Sequence, residues 1–116
     1  MRSALATGLV LASVLSACSA SASSNPSNDL AITLSDFKFA PANPALTSGQ
    51  PVRLSVKNTG SVEHDVTIAA ANVHLAVKPG QTMTKEIASL AAGTYDIVCS
   101  IAGHKEAGMV AKLTVK

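Results

Sequence analysis

From residue 30 to the C-terminus, apolar and polar residues alternate in short runs that Gly, Pro, Asn and Ser interrupt at close intervals. The clearest run is Val52-Arg53-Leu54-Ser55-Val56-Lys57, which presents one apolar and one wet face and ends at the turn residues Asn58-Thr59-Gly60. Further runs cover 30–34, 62–69, 73–77, 82–87, 94–100 and 109–115, with Lys78-Pro79-Gly80 and Ala92-Gly93 as breaks. None of them carries a convincing helical period. About seven short strands at this spacing predict an all-β domain of two sheets packed as a sandwich. Alternate side chains of a strand share a face, so parity assigns the sides. His64 lies with Val62, Val66 and Ile68 and points inward, while Glu63, Asp65 and Thr67 face the other way. Cys99 joins Tyr95 and Ile97, and Met109 joins Ala111, Leu113 and Val115, again on apolar faces.

The segment before residue 30 follows another pattern. Arg2 supplies a positive start, residues 4–15 form an apolar stretch and small residues follow, which is the layout of a secretion signal. The stretch is too short to span a bilayer. Its end, Leu15-Ser16-Ala17-Cys18, resembles a bacterial lipoprotein signal, in which the cysteine becomes the lipid-modified first residue of the mature chain. The alternative is an ordinary signal peptide cut nearby, with Cys18 left free or paired to Cys99. Lipidation predicts a signal peptide over 1–17 and a segment 18–29 made of lipidated Cys18 and a flexible Ser/Ala/Asn linker. One folded domain over 30–116 follows. Each buried acyl methylene adds about 0.8 kcal/mol, so several chains on one cysteine anchor the protein stably. The domain is then tethered outside the cytoplasmic membrane, at the cell surface or in the periplasm.

A chain of 116 residues has room for one domain that folds without disulfide staples. Its formal net charge is +2, and removal of Arg2 with the leader leaves eight basic residues against seven acidic ones. The basic residues are scattered singly, and the three aromatics, Phe37, Phe39 and Tyr95, are not interleaved with them. This excludes a nucleic-acid surface. Nucleophile-elbow, phosphate-loop and zinc-protease motifs are absent, so the sequence gives no reason to expect an enzyme.

If lipid consumes Cys18, the exported domain keeps a single thiol, Cys99, with no disulfide partner. Cys99, His104 and Met109 follow one another at five-residue intervals, and His64 is the remote inward histidine. Each has a plain reading alone: a small core hydrophobe, a gap-filling Met, a hydrogen-bonded structural His. Their conjunction points elsewhere. Two imidazoles, a thiolate and a thioether are soft-to-borderline donors, and two His and one Cys with a weak axial Met is the arrangement of electron-transfer copper sites. The predicted metal ligands are therefore His64, Cys99, His104 and Met109, with one copper ion per domain. His104 falls in a Gly-containing loop closer to solvent. His74, a lone histidine on a strand, is read as structural or solvent-facing.

At these residues the sequence resembles the cupredoxins, the blue copper family, over the whole of 30–116. The resemblance begins with Asp36-Phe37-Lys38-Phe39-Ala40-Pro41 and is strongest from Tyr95 to Met109, including Gly103-His104 and Gly108-Met109. It implies a Greek-key β-sandwich of about seven to eight strands with copper near one end. Some family members add a carbonyl ligand from a Gly just before the first histidine; here that residue is Glu63, which argues against such a site. Many have Asn after that histidine, bridging to the residue after the cysteine; here the pair is Asp65 and Ser100, which would tie the two ligand strands together and tune the metal. Many also have Pro where this chain has Ala102. In relatives the C-terminal histidine is the electron port, so Ala40, Pro41, Ala102 and Gly103 are expected in a docking patch around His104.

The expected function is a monomeric one-electron carrier cycling Cu(II)/Cu(I), whose partners are a cytochrome, oxidase or other redox protein docking near His104 and the membrane through Cys18. A ligating imidazole must be neutral, so copper loss should follow protonation of His104 in acid. The alternative is copper handling, a chaperone or scavenger that supplies an exported cuproenzyme; against it, only Met83 and Met109 remain after the leader. A copper enzyme needs further histidine-bound copper and more such domains.

Overall fold

The computed structural model describes residues 28–116. The predicted signal peptide, Cys18 and the linker as far as Ser27 lie outside the described residues. The described residues form nine strands: β1 Asn28–Ser35, β2 Lys38–Ala40, β3 Ala45–Leu46, β4 Val52–Asn58, β5 His64–Ile68, β6 Val73–Val77, β7 Thr82–Ile87, β8 Gly93–Val98 and β9 Val110–Val115. A 3₁₀ turn, Ala69–Ala71, joins β5 to β6. Among the described residues no helix is long and apolar enough to cross a membrane.

The strands make two sheets, ordered β2-β1-β4-β7 and β3-β9-β8-β5-β6. Most neighbours are antiparallel; β1 with β4 and β3 with β9 are parallel, so the chain crosses between the sheets before each parallel strand is laid down. Alternation explains the packing. Leu30, Ile32 and Leu34 of β1 and Val52, Leu54 and Val56 of β4 are all at most 3% exposed, and their inner rows meet Ile97 and Leu113 of the opposite sheet in one core. Fully burying each such side chain contributes about 1.5–3 kcal/mol. The all-β two-sheet sandwich read from the alternation is the fold observed.

Four local features differ from the sequence reading. Asn28 and Asp29, assigned to the linker, belong to β1: they pair with Val52 and Arg53, and the Asn28 side chain bonds the backbone of Thr47 in both directions, at 2.8 and 3.1 Å. Low apolar content hid this, because parallel pairing draws on backbone groups and not on side-chain hydrophobicity. The strand expected over 62–69 begins only at His64, and Val62 is 43% exposed in the preceding loop, where strand parity no longer applies. Asp65, on the face opposite His64, is buried all the same, because the chain after β8 lies across it. Finally β7, an edge strand, carries Met83 and Lys85 on the same side as Val56 and Leu54, yet both stay exposed. A charged side chain in the inner row of an edge strand needs water and keeps that margin open. The short strands β2 and β3 escaped the pattern altogether, since two or three residues are too few to show a period.

Candidate metal centre

Three of the four predicted ligands converge at one end of the sandwich. His64 opens β5, Cys99 follows β8, and His104 sits in the loop that returns to β9. One ligand atom from each of His64, Cys99 and His104 lies within 4.8 Å of the other two. His64 Nδ1 faces His104 Nδ1 at 3.0 Å, and Cys99 Sγ is 3.5 Å from the same His104 nitrogen. His64 and Cys99 are buried, while His104 is only partly so. Strand parity placed the first two, and the loop places the third.

The loop is held by its own backbone. Cys99 N–H donates to the Met109 carbonyl (3.2 Å) and Met109 N–H to the His104 carbonyl (3.1 Å), so the two ends of the loop are clasped together. His104 N–H donates to the Ile101 carbonyl at 3.0 Å, closing a turn through Ala102 and Gly103. Met109 is completely buried beneath the loop's return. Ala102 and Gly103 are exposed, as are Ala40 and Pro41.

Behind Cys99 the contacts are polar. The Asp65 backbone N–H donates to Cys99 Sγ at 3.4 Å. The Asp65 carboxylate accepts from the Ser100 N–H (2.9 Å) and the Ser100 hydroxyl (2.5 Å), bridging β5 to the segment after β8. It also accepts from the Thr67 hydroxyl at 2.9 Å, and Thr67 Oγ1 in turn lies 2.9 Å from Nδ1 of His74, which is exposed on β6. His74 therefore stands outside the cluster and touches it only through Thr67 and Asp65.

Four residues that frame the site were not read as part of it in the sequence. Asn58 ends β4 and is fully buried; its amide donates to the carbonyls of Val62 and Val77, both at 2.8 Å, and its Oδ1 accepts from the Gly60 N–H. It sets the loop that leads into His64. Asp36, in the two-residue turn between β1 and β2, lies with Oδ1 3.4 Å from His64 Nε2. The backbone N–H of Ser61 first, and then its hydroxyl, hold the Asp36 carboxyl below its ordinary range, with His64 adding a smaller pull and desolvation opposing. Phe37, beside it, adopts φ +65°, uncommon for a bulky residue, and sets its ring edge-on to His104 and His64 at centroid distances of 5.1 and 6.2 Å. Asp, Ser and Asn are ordinary turn residues, so only their long-range partners distinguish them.

The donors fit a copper ion. Asp36 can only accept, so its bond to His64 places the proton on Nε2 and leaves Nδ1 bare in the neutral ring. His104 Nδ1 then stands between His64 Nδ1, 3.0 Å away, and Cys99 Sγ, 3.5 Å away. Two imidazole nitrogens and a sulfur thus converge on one point, where a copper ion would find soft-to-borderline donors.

A two-sheet β-sandwich whose end gathers His64, Cys99 and His104, with Met109 buried close by in sequence, defines a cupredoxin carrying a donor set like that of type 1 copper. The chain belongs to that family: the cupredoxin-like domain matches residues 8–115. The "copper-resistant cuproprotein CopI" of Rubrivivax gelatinosus is 30% identical over 106 residues, a match covering 73% of this chain and 64% of that protein's length. Among solved structures, dithionite-reduced auracyanin from Roseiflexus castenholzii superimposes with a TM-score of 0.67 at 20% identity, covering 78% of this chain and 98% of that one. Auracyanin B gives a TM-score of 0.65 at 24% identity, covering 76% and 88%. A chain of a heme-copper terminal oxidase dimer gives 0.67 at 20% identity, covering 80% and 67%.

Proposed function

We propose that this protein is a one-electron carrier with a single type 1 copper held by His64, Cys99 and His104, with Met109 as the weak axial ligand. The observation that carries this reading is the meeting of two imidazole Nδ1 atoms and one buried thiol within 4.8 Å on a cupredoxin frame. Copper, when bound, supplies the Cu(II)/Cu(I) couple. The chain supplies rigidity: His64 is fixed at the start of a paired strand, and the backbone clasp between Cys99 and Met109 fixes the ends of the ligand loop. Little rearrangement of the donors between oxidation states is what a carrier needs. Burial of His64 and Cys99 excludes water from the inner side, while His104 stays closest to the surface.

Purified domain titrated with Cu(II) tests the reading: an intense thiolate-to-copper charge-transfer band, bleached and restored by reduction and reoxidation without loss of metal, is expected. A colourless protein that holds only Cu(I) and gives it up readily to a competing acceptor would replace the carrier with the second reading, copper handling for an exported cuproenzyme. The name of the Rubrivivax relative supports that second reading.

The same reading puts redox partners at the exposed surface around His104, formed by Ala40, Pro41, Ala102 and Gly103, on a monomeric protein. A His104→Gly chain is expected to lose most of its electron exchange with a soluble cytochrome; normal exchange would sink the assignment. Export, removal of 1–17 and a lipid on Cys18 would hold the domain outside the cytoplasmic membrane on the 18–29 tether. Cys18→Ser should then move the protein from the membrane fraction to the soluble one, and unchanged membrane association would count against the anchor.

A further inference from the structure

We propose that Asp36, seated against Gly60, is a positioning residue for His64: its carboxylate accepts the hydrogen bond from Nε2–H and so presents Nδ1 to the metal. The inference rests on the copper reading above and adds to it a carboxylate–imidazole–metal line built from the β1–β2 turn.

Three observations carry it. First, His64 is completely buried, and Asp36 Oδ1 is the acceptor at its Nε2, 3.4 Å away, on the side of the ring opposite the metal-facing nitrogen. Second, the carboxylate does not reach His64 by chance of rotamer. Ser61 grips both of its oxygens, the backbone N–H on Oδ1 and the hydroxyl on Oδ2, each at 2.9 Å. Ser61 is itself part of the loop that Asn58 anchors to the carbonyls of Val62 and Val77. Third, the chain leaves room for the pair. A Cβ on Gly60 would lie 2.5 Å from Asp36 Oδ1, 3.1 Å from His64 Nε2 and 3.2 Å from Asn58 Oδ1, so no side chain is compatible with this approach. Gly60 takes no left-handed φ here, and space around the carboxylate–imidazole contact is the physical requirement for glycine at this position.

The chemistry follows from the charge. A carboxylate behind a ligating imidazole fixes the ring's tautomer and orientation and strengthens it as a donor. The negative charge stabilises the more positive oxidation state of the metal, so Asp36 holds the reduction potential down. Phe37, the next residue, lays its edge against both ligand rings, so the same short turn both orients one imidazole and covers the pair.

The test uses copper-free and copper-loaded protein with Asp36→Ala, Asp36→Asn and Gly60→Ala. In the copper-free wild type at mildly alkaline pH, nitrogen NMR should find the His64 proton on Nε2. In Asp36→Ala the two tautomers should mix, Cu(I) affinity should fall about 10–100-fold and the reduction potential should rise. Asp36→Asn keeps an acceptor without the charge, so it should retain the tautomer yet still raise the potential. Gly60→Ala, which displaces Asp36 without removing it, should reproduce Asp36→Ala. A His64 proton on Nδ1 in the copper-free wild type, or an Asp36→Ala protein with unchanged affinity and potential, would overturn the proposal. A wild type that shows the Nε2 tautomer but no copper–thiolate band would instead remove the copper reading and leave the Asp36–His64 contact as structural.

Discussion

Cys99→Ser is expected to abolish the thiolate-to-copper charge-transfer band outright while leaving the sandwich folded. Cys99 is 1% exposed and is the single cysteine among the described residues, so no other thiol there can substitute. Its Sγ accepts from the Asp65 N–H and lies 3.5 Å from His104 Nδ1, contacts a serine oxygen can also make. Buried cysteine behaves as a small hydrophobe with a weak S–H donor, so the exchange should cost only about 1 kcal/mol of stability. The metal chemistry has no such substitute. A hydroxyl does not ionise where a thiol does, and oxygen is a hard donor where Cu(I) prefers soft ones. Absorption spectroscopy of the Cu(II) form and Cu(I) competition titrations should show the band gone and affinity reduced by orders of magnitude, with an unchanged far-UV circular dichroism spectrum. Colour that survives the substitution would mean that Cys99 is not a ligand.

Asp65→Ala should be the most destabilising single change near the site. The side chain is 2% exposed and accepts three hydrogen bonds, two from Ser100 and one from Thr67. Bonds to an ionised acceptor are worth about 1.5–3 kcal/mol each, and their loss is not additive, so a total near 3 kcal/mol is the reasonable expectation. For a domain of this size that is roughly a 15 °C fall in melting temperature. The loss also has a direction in space. Only Thr67 and Val98 are paired between β5 and β8, so near the site the Asp65–Ser100 bridge ties the His64 strand to the segment after Cys99. Asp65→Asn keeps the oxygen that accepts from Ser100 N–H and Thr67, and should cost only about 1 kcal/mol. Thermal melts of the three proteins in the copper-free state check the ranking. An Asp65→Ala protein as stable as wild type would show that the bridge follows from the fold and does not hold it.

How far the site could be read in the chain depended on whether the relevant spacing was local. The parity of β5, β8 and β9 turned His64, Cys99 and Met109 inward because successive side chains of an extended chain alternate by covalent geometry alone. The short spacing of Cys99, His104 and Met109 was visible for the same reason: it fits within one loop. Asp65 and Ser100 were paired only by family likeness, and the structure shows their hydrogen bonds. Gly60, Ser61 and Asn58 stood in turn sequences with no distinguishing feature, and Asp36 only opened the stretch of family likeness, since turn chemistry uses those residue types everywhere. Their roles arise from contacts bridging 25–28 residues from the β1–β2 turn to the loop before β5. Asn28 and Asp29 were misplaced because the linker composition continues into a strand whose pairing is made by its backbone.

By itself, then, the sequence determined the strand faces and the donor types, because both are properties of neighbouring residues: alternation sets which side chains enter the core, and Cys, His and Met set which metal they can hold. Tertiary structure alone decided which donors meet, that Asp36 stands behind His64, and that Gly60 leaves space for it. Those outcomes depend on how two sheets and three loops close on one another, and loop closure joins residues whose separation along the chain carries no periodic trace.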